Sequence, residues 1–309
     1  MSLRTRGLAL AAVAAVSALA LAGCSSSNPL DSSSTSSSKA GGAIVVGSAN
    51  FPESEIIAQI YTQALKSNGV DASIKPNIGA REAYLKALQD GSIDLVPEYS
   101  GSLLQYYNAK STAQSSGDVY AALSDALPKG FEVLDQSKAE DKDSYNVTKE
   151  FSEKYSVTSL ADLKKVTVPL TVGANPEFAE RPYGIKGLQS AYGVTATLDP
   201  ISDSGGPLTV KALLDGTVQL ADIYTTSSAI KNNNLVTLKD PKNIIIAENV
   251  VPIINDGKVT DKVKSVLNKV SSTLTTDDLV SMNDKSSGSA KESAAQIAKE
   301  WLSSKNLFK

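Results

Sequence analysis

The sequence predicts an α/β protein of two similar lobes facing one another across a ligand cleft, and two observations predict it. The first is a repeat: Lys86 to Ser100, KALQDGSIDLVPEYS, returns without a gap as Lys211 to Thr225, KALLDGTVQLADIYT, with seven of fifteen positions identical. Composition alone would give roughly one match. Each copy reads as a helix end, a glycine suited to positive φ, a short apolar strand and a loop carrying a tyrosine. The second is Ala43 to Ser48, AIVVGS, a near-continuous apolar run of the kind buried in a parallel sheet. Ligands of open α/β sheets sit beyond the carboxyl ends of the strands, so Tyr99 and Tyr224 are expected to face each other across the cleft. The alternative is that both are core residues at strand ends.

Residues 1–23 stand apart from the fold. Arg4 and Arg6 precede an apolar run from Gly7 to Gly23 that is too short for a stable membrane span but suits a secretory leader. The run ends Leu21-Ala22-Gly23-Cys24, small residues directly before the only cysteine of the chain, which is the pattern of a lipoprotein signal. Cys24 is therefore expected to carry a lipid and to hold the protein on the outer face of the cytoplasmic membrane. Residues 24–42, serine-rich after the cysteine, read as a flexible tether. A single cysteine allows no intrachain disulfide, so the folded body has to be held by its core.

The first lobe is expected over 43–145. Asn50 reads as a helix cap with Glu53 closing a capping box, and Ile56, Ile57, Ile60, Tyr61, Ala64 and Leu65 fall on one face of the helix that follows. The loop from Ser48 to Glu53 then points at the same cleft as Tyr99, with backbone N–H groups free to meet a polar ligand. Ala72 to Pro76 reads as a strand, Ala80 to Asp90 and Asp118 to Leu127 as helices, and Arg81 as structural or solvated. Phe131 to Tyr155 is polar and irregular, and by pattern alone is a surface loop.

The second lobe is expected over 146–224. Val166 to Gly173 is a strand with a proline inside, which argues for an edge or a bend. Asn175 to Arg181 opens a helix, Thr195 to Asp199 is a strand, and Gly206 to Gly216 is the helix before the second repeat copy. Residues 225–309 return to the first lobe: a polar helix, apolar runs at Leu235 to Leu238 and Ile244 to Ile254 expected to close its sheet, and three tail helices. Trp301 reads as a packing anchor. Two crossings between the lobes make a hinge that allows closure.

The formal charge is −3, and loss of Arg4 and Arg6 with the leader makes it two units more negative. That balance leaves no footprint for nucleic acid. The chain has no histidine, which excludes histidine-dependent serine triads and most zinc sites. No cofactor or metal is called for.

Five segments, GSANFPESEIIAQIY, NIGAREAYLKALQDGSIDLVPEYSGS, the DSY of Asp143 to Tyr145, EFAER and LLDGTVQLADIYTT, occur in the order found in the substrate-binding proteins of osmoprotectant ABC transporters, which the chain resembles over nearly all of 43–255. The PEYSGS block is the most specific of them. The resemblance implies the type II periplasmic-binding-protein fold and an aromatic cage for a quaternary ammonium group, as in glycine betaine, choline or carnitine. Matched position by position, it makes Tyr99, Tyr145 and Tyr224 the cage tyrosines, Asp143 a carboxylate near the cation, and Arg181 the partner of a ligand carboxylate. Ser102 stands where the family usually has threonine. Asn50 and Glu248 are further candidates. The chain departs from the pattern at Ala49, where the family has a lysine, and near Glu248, where an aromatic is usual. The departures weaken the case for glycine betaine and leave room for choline, carnitine, a larger betaine or a neutral ligand.

The partners implied are such a ligand, an ABC permease and, through the lipid, the membrane, with the protein itself a monomer and not an enzyme. A different ligand on the same fold stays open. An exported hydrolase is a weaker alternative, since without histidine it would need a Ser-Lys or two-carboxylate site.

Overall fold

The computed structural model describes residues 42–287 and 291–308; the leader, Cys24 and all of the expected tether except its last residue lie outside them. The apolar opening run forms β1 (Ile44–Gly47), and α1 (Pro52–Ser67) follows. All six apolar positions expected on one face of α1 are buried, as the helical spacing requires. Asn50 does not cap this helix. Phe51 holds the cap position and has no side-chain acceptor to offer, while Pro52 opens the first turn with φ already set for a helix. Glu53 turns inward instead of closing a capping box.

The first lobe continues with β2 (Ala72–Lys75), α2 (Arg81–Gln89), β3 (Leu95–Tyr99), α3 (Ser100–Tyr107), α4 (Ser116–Ala126) and β4 (Phe131–Val133). From here the expected surface loop proves to be interior. It carries the chain into the second lobe as β5 (Tyr145–Val147) and α5 (Lys149–Tyr155), with Asp141, Ser144 and Asn146 buried. These polar groups are paired inside the protein: the Ser144 hydroxyl donates to the Ile223 carbonyl at 2.5 Å and the Asn146 amide to the Ser144 carbonyl at 2.8 Å.

The second lobe is β6 (Thr171–Ala174), α6 (Ile185–Tyr192), β7 (Thr197–Pro200), α7 (Pro207–Leu214), β8 (Leu220–Asp222), α8 (Ser228–Asn232) and β9 (Val236–Thr237). Pro169 lies before β6, and β6 is flanked on both sides, so the proline marks no edge. Asn175 to Arg181 forms a 3-10 turn (Pro176–Ala179) and a loop, not a helix. The chain closes with β10 (Val250–Asn255), α9 (Asp261–Thr273), α10 (Thr276–Ser287) and α11 (Ala294–Ser304). Trp301 is buried in the first-lobe core beside α1, as expected of an anchor.

The two five-stranded sheets have one plan. The first runs β2-β1-β3-β10-β4 and the second β7-β6-β8-β5-β9; in each, three parallel strands are followed by an antiparallel strand arriving from the other lobe. The repeat copies end in β3 and β8, which fill the same slot, and both copies turn through a glycine at positive φ, Gly91 at 74° and Gly216 at 73°. Leu235 to Leu238 does not close the first sheet. Its strand β9 pairs with β5 in the second, so by sheet membership the chain leaves the second lobe after Leu238 rather than at 224. Both sheets are covered on both faces by helices, which gives two apolar cores per lobe.

The crossings, 134–144 and 238–249, run antiparallel and bond to each other: Asp141 N–H donates to the Glu248 carbonyl at 3.1 Å and Val250 N–H to the Ala139 carbonyl at 3.0 Å. This pairing makes the hinge one element with two buried carboxyl side chains, Asp141 and Glu248.

If the two repeat glycines are equivalent, Gly91→Ala and Gly216→Ala should each destabilise by about 1 kcal/mol through backbone strain, because neither new Cβ meets an atom within 4 Å. Urea unfolding of both variants checks this, and a cost several times larger at one position would show that the two turns differ.

Candidate functional site

Between the lobes lies a cleft of about 730 Å³, the open solvent at its mouth included, at the carboxyl ends of parallel strands from both sheets. The loop after β1 supplies Ala49, Asn50 and Phe51; the end of β3 and the start of α3 supply Tyr99 and Ser102. Across from them stand Asn175, Phe178, Arg181 and Tyr183 from the segment after β6, Ser204 after β7, and Asp222 and Tyr224 at the end of β8. Asp141 and Asp143 come from the first crossing. Asn175 and Ser204 pin two of these loops together, the Ser204 N–H donating to Asn175 Oδ1 at 3.1 Å.

Three rings form one wall. Phe51 sits between the two repeat tyrosines, its centroid 6.1 Å from that of Tyr99 and 5.5 Å from that of Tyr224. The first tyrosine is fixed from behind: its hydroxyl donates to Glu53 Oε1 at 2.5 Å. Glu53 also accepts from Thr226 Oγ1 at 2.7 Å and from Asn283 Nδ2 at 2.6 Å, so α1, the loop after β8 and α10 meet on one carboxyl.

The cavity is rich in acid. Asp143 and Asp222 hydrogen-bond to each other, and burial raises both carboxyls above their ordinary range, Asp222 further because the Asp143 charge adds to it. Two carboxyls that close titrate as a pair, not independently. Glu53 and Asp141 are a second buried pair of acids, both raised chiefly by burial. Among the described residues no group of three or more His, Cys, Asp or Glu could hold a metal ion.

Arg81 and Arg181 are the cations lining the cavity, and each already grips a glutamate with its fork. Arg81 holds Glu98 at 2.8 and 3.0 Å, and this carboxylate is fully buried, accepting also from the Tyr84 hydroxyl at 2.7 Å and the Tyr99 N–H at 2.9 Å. Arg181 reaches back across the cleft from the second lobe to Glu82 on α2, at 2.8 and 3.2 Å. Arg81 is thus neither solvated nor free but one half of a buried pair.

Ser102 lines the cavity with Glu248 behind it. Its hydroxyl lies 2.6 Å from Glu248 Oε1 and 3.4 Å from the Tyr183 hydroxyl of the other lobe, while the Gly101 N–H donates to Glu248 Oε2 at 3.0 Å. Burial pushes the Glu248 carboxyl up to about 8.

Of the residues expected at the site, the structure brings Asn50, Tyr99, Ser102, Asp143, Arg181 and Tyr224 to one cavity. Tyr145 is not among the lining residues. It is buried to 1% exposure against Phe178, with its hydroxyl donating to the Tyr183 carbonyl at 2.9 Å. It pairs opposite Asp222 in the second sheet and belongs to the second-lobe core cluster. Glu248 stands one layer behind the wall. Phe51, Tyr183, Asp141 and Asp222 were not singled out from sequence; Phe51 alone had a signal, as the aromatic of a loop already expected to face the cleft.

The family model for the substrate-binding domain of ABC-type glycine betaine transport systems matches residues 42–304. A glycine-betaine-binding protein of Pseudomonas aeruginosa is 28% identical over 221 residues, covering 68% of this chain and 70% of that protein. The carnitine transport binding protein OpuCC of Listeria monocytogenes is 25% identical over 276 residues, covering 86% of this chain and 87% of that protein. A crystal structure described as a glycine betaine/carnitine/choline ABC transporter superposes with a TM-score of 0.68 at 21% identity, covering 86% of this chain and 100% of that one. The likeness establishes the fold: two α/β lobes of the type II periplasmic-binding-protein kind.

Glu248 makes stability depend on pH. Its carboxyl is raised from 4.5 to about 8, so the folded protein keeps a proton that the unfolded chain has released. Stability from this group therefore falls as pH rises between those values and is flat above them. Glu248→Gln should flatten that slope and leave the variant more stable than wild type by about 1 kcal/mol or more above pH 8. Thermal melts across the range test it; parallel profiles for the two proteins would mean that Glu248 is ionised throughout.

Proposed function

The chain belongs to the family of substrate-binding domains of ABC-type glycine betaine transport systems, and from that premise we propose that it is an exported, lipid-anchored monomer that holds a small quaternary ammonium compound against Phe51, Tyr99 and Tyr224 and delivers it to a membrane permease. Membership makes the chain a binding protein rather than an enzyme. The observation that carries the ligand reading is the single wall of three rings, drawn from both lobes and joined through Phe51, beside a cluster of acids.

A trimethylammonium group has no proton to donate, so hydrogen-bond acceptors alone cannot select it. It is recognised by π faces and by nearby negative charge, at about 0.5–2 kcal/mol per ring. Asp143 and Asp222 place two carboxyls in the same cavity, close enough to couple to one another. Three rings and the acid pair, less the cost of association, support an affinity near micromolar, about −8 kcal/mol. Because the rings come from both lobes, binding draws the lobes together, and closure excludes the water that would weaken each of these contacts. Where a ligand brings its own carboxylate, Arg181 is the fork within reach.

Cys24 belongs to this reading as the anchor. A receptor that loads a permease gains from being tethered near it, since a flexible linker sets a high effective concentration.

Calorimetric titration against choline, glycine betaine and carnitine is the direct test, with binding of at least one of them expected and silence from all three removing the quaternary-ammonium reading. Phe51→Leu, which keeps apolar volume and deletes the π face, should weaken binding about tenfold with little change in melting temperature. Unchanged affinity would make that ring a packing residue only. Cys24→Ser should move the protein from the membrane fraction to the medium or soluble fraction on cell fractionation, and continued membrane association would defeat the lipid anchor.

A further inference from the structure

The two arginines of the cavity make the same fork contact with very different carboxylates. Glu98 is fully buried and held by four donors, so expelling it from Arg81 would strand a charge in the interior. Glu82 is not part of the cavity wall; its side chain is 53% exposed while that of Arg181 is 13% exposed. When Glu82 lets go of Arg181 it swings into water, where a carboxylate is fully solvated. Only the second pair can be exchanged.

A zwitterionic ligand such as a betaine must find a cation for its carboxylate inside this cavity. Among the described residues the lining offers Arg81 and Arg181, and the first is committed. The ligand has therefore to take the Arg181 fork from Glu82. A ligand with the ammonium group and no carboxylate leaves that pair in place. It also meets a wall whose other ionisable acids are Asp141, Asp143, Glu177 and Asp222, where a net positive charge is favoured over a neutral zwitterion.

We propose that Glu82 is a specificity-determining residue, occupying the fork of Arg181 in place of a ligand carboxylate and so tilting the cavity toward quaternary ammonium compounds that lack one, choline before glycine betaine or carnitine. This rests on the reading of the ring wall as a quaternary-ammonium site. The device works by competition. Both glutamate oxygens sit on the two terminal nitrogens of the guanidinium, which is the geometry a ligand carboxylate would need. The same pair spans the lobes, from α2 of the first to the loop before α6 of the second, so its loss can change the ease of closure for every ligand alike. The quantity that isolates specificity is therefore the ratio of two affinities and not either one alone.

The experiment is calorimetry of wild type, Glu82→Gln and Glu82→Ala with choline and with glycine betaine. Wild type is expected to favour choline, and both variants to shift the ratio toward glycine betaine by roughly fivefold or more, the scale of one partly exposed bidentate pair. Glu82 is an exposed helix residue, so both variants should fold, and melting curves verify this. A ratio that stays constant in both variants, or moves toward choline, overturns the proposal even though the site binds. Wild type that favours glycine betaine overturns it also. Wild type that binds neither ligand removes the ring-wall reading itself, and this proposal with it.

Discussion

Carboxyl groups buried at the junction of the two lobes impose the constraint on which the rest of the structure depends. Glu53, Asp141, Asp222 and Glu248 are each no more than 6% exposed, and Asp143 lines the cavity among them. A lone buried carboxylate would be expelled or would refold its surroundings. Here Glu53, Asp141, Asp222 and Glu248 accept hydrogen bonds from hydroxyl, amide or backbone donors, and burial raises the carboxyls of all five; Glu98 beside them is held by an arginine fork. The hinge strands, the loop after β8 and α10 all end on these groups. The interior they form is polar and acidic.

Much of the fold was legible in the sequence because it depends on periodicity and repetition. The α1 face, the tail helices and the shared slot of β3 and β8 all follow from apolar spacing and from the repeat, and the repeat also carried Tyr99 and Tyr224 to the same wall. What could not be read is the path from β4 to α5. Asp141, Ser144 and Asn146 have the composition of a loop, and only their partners at Ile223, Thr226 and Thr237 make them interior. Sequence shows polarity but not satisfaction. The same blindness explains Tyr145: a tyrosine beside an aspartate reads alike whether its ring faces a ligand or, as in the structure, a phenylalanine of the core. Strand β9 is two residues long, too short for alternation to assign it to either sheet.

The neighbouring residues Arg81 and Glu82 illustrate how burial divides labour between similar groups. Each belongs to a bidentate arginine–glutamate pair, and both pairs touch the cavity through the arginine. The first is sealed beneath β3, where Glu98 also accepts the Tyr99 N–H, so it orders the base of the ring wall. The second joins the lobes at the solvent side. One fork is architecture and the other is exchangeable, although nothing in the residue types separates them. The difference is that Glu98 has no route to water.

Glu53 shows how the wall and the hinge are made one object. It binds the Tyr99 hydroxyl from behind the ring, the Thr226 hydroxyl from the loop that carries Tyr224, and the Asn283 amide from α10, and it pairs with Asp141 on the first crossing. A hinge motion that displaced Thr226 relative to α1 would break a buried hydrogen bond to a carboxyl, a loss larger than that of an ordinary surface contact. The Tyr99 hydroxyl and the loop bearing Tyr224 are therefore anchored on the two oxygens of one carboxyl. The polar network behind the rings thus ties the loop bearing Tyr224 to the α1 and β3 side of the wall. The Glu53 carboxyl is therefore the point at which the ring of Tyr99, the hinge and the carboxyl-terminal helices are joined, and a change at any one of them is felt by the others through a single buried group.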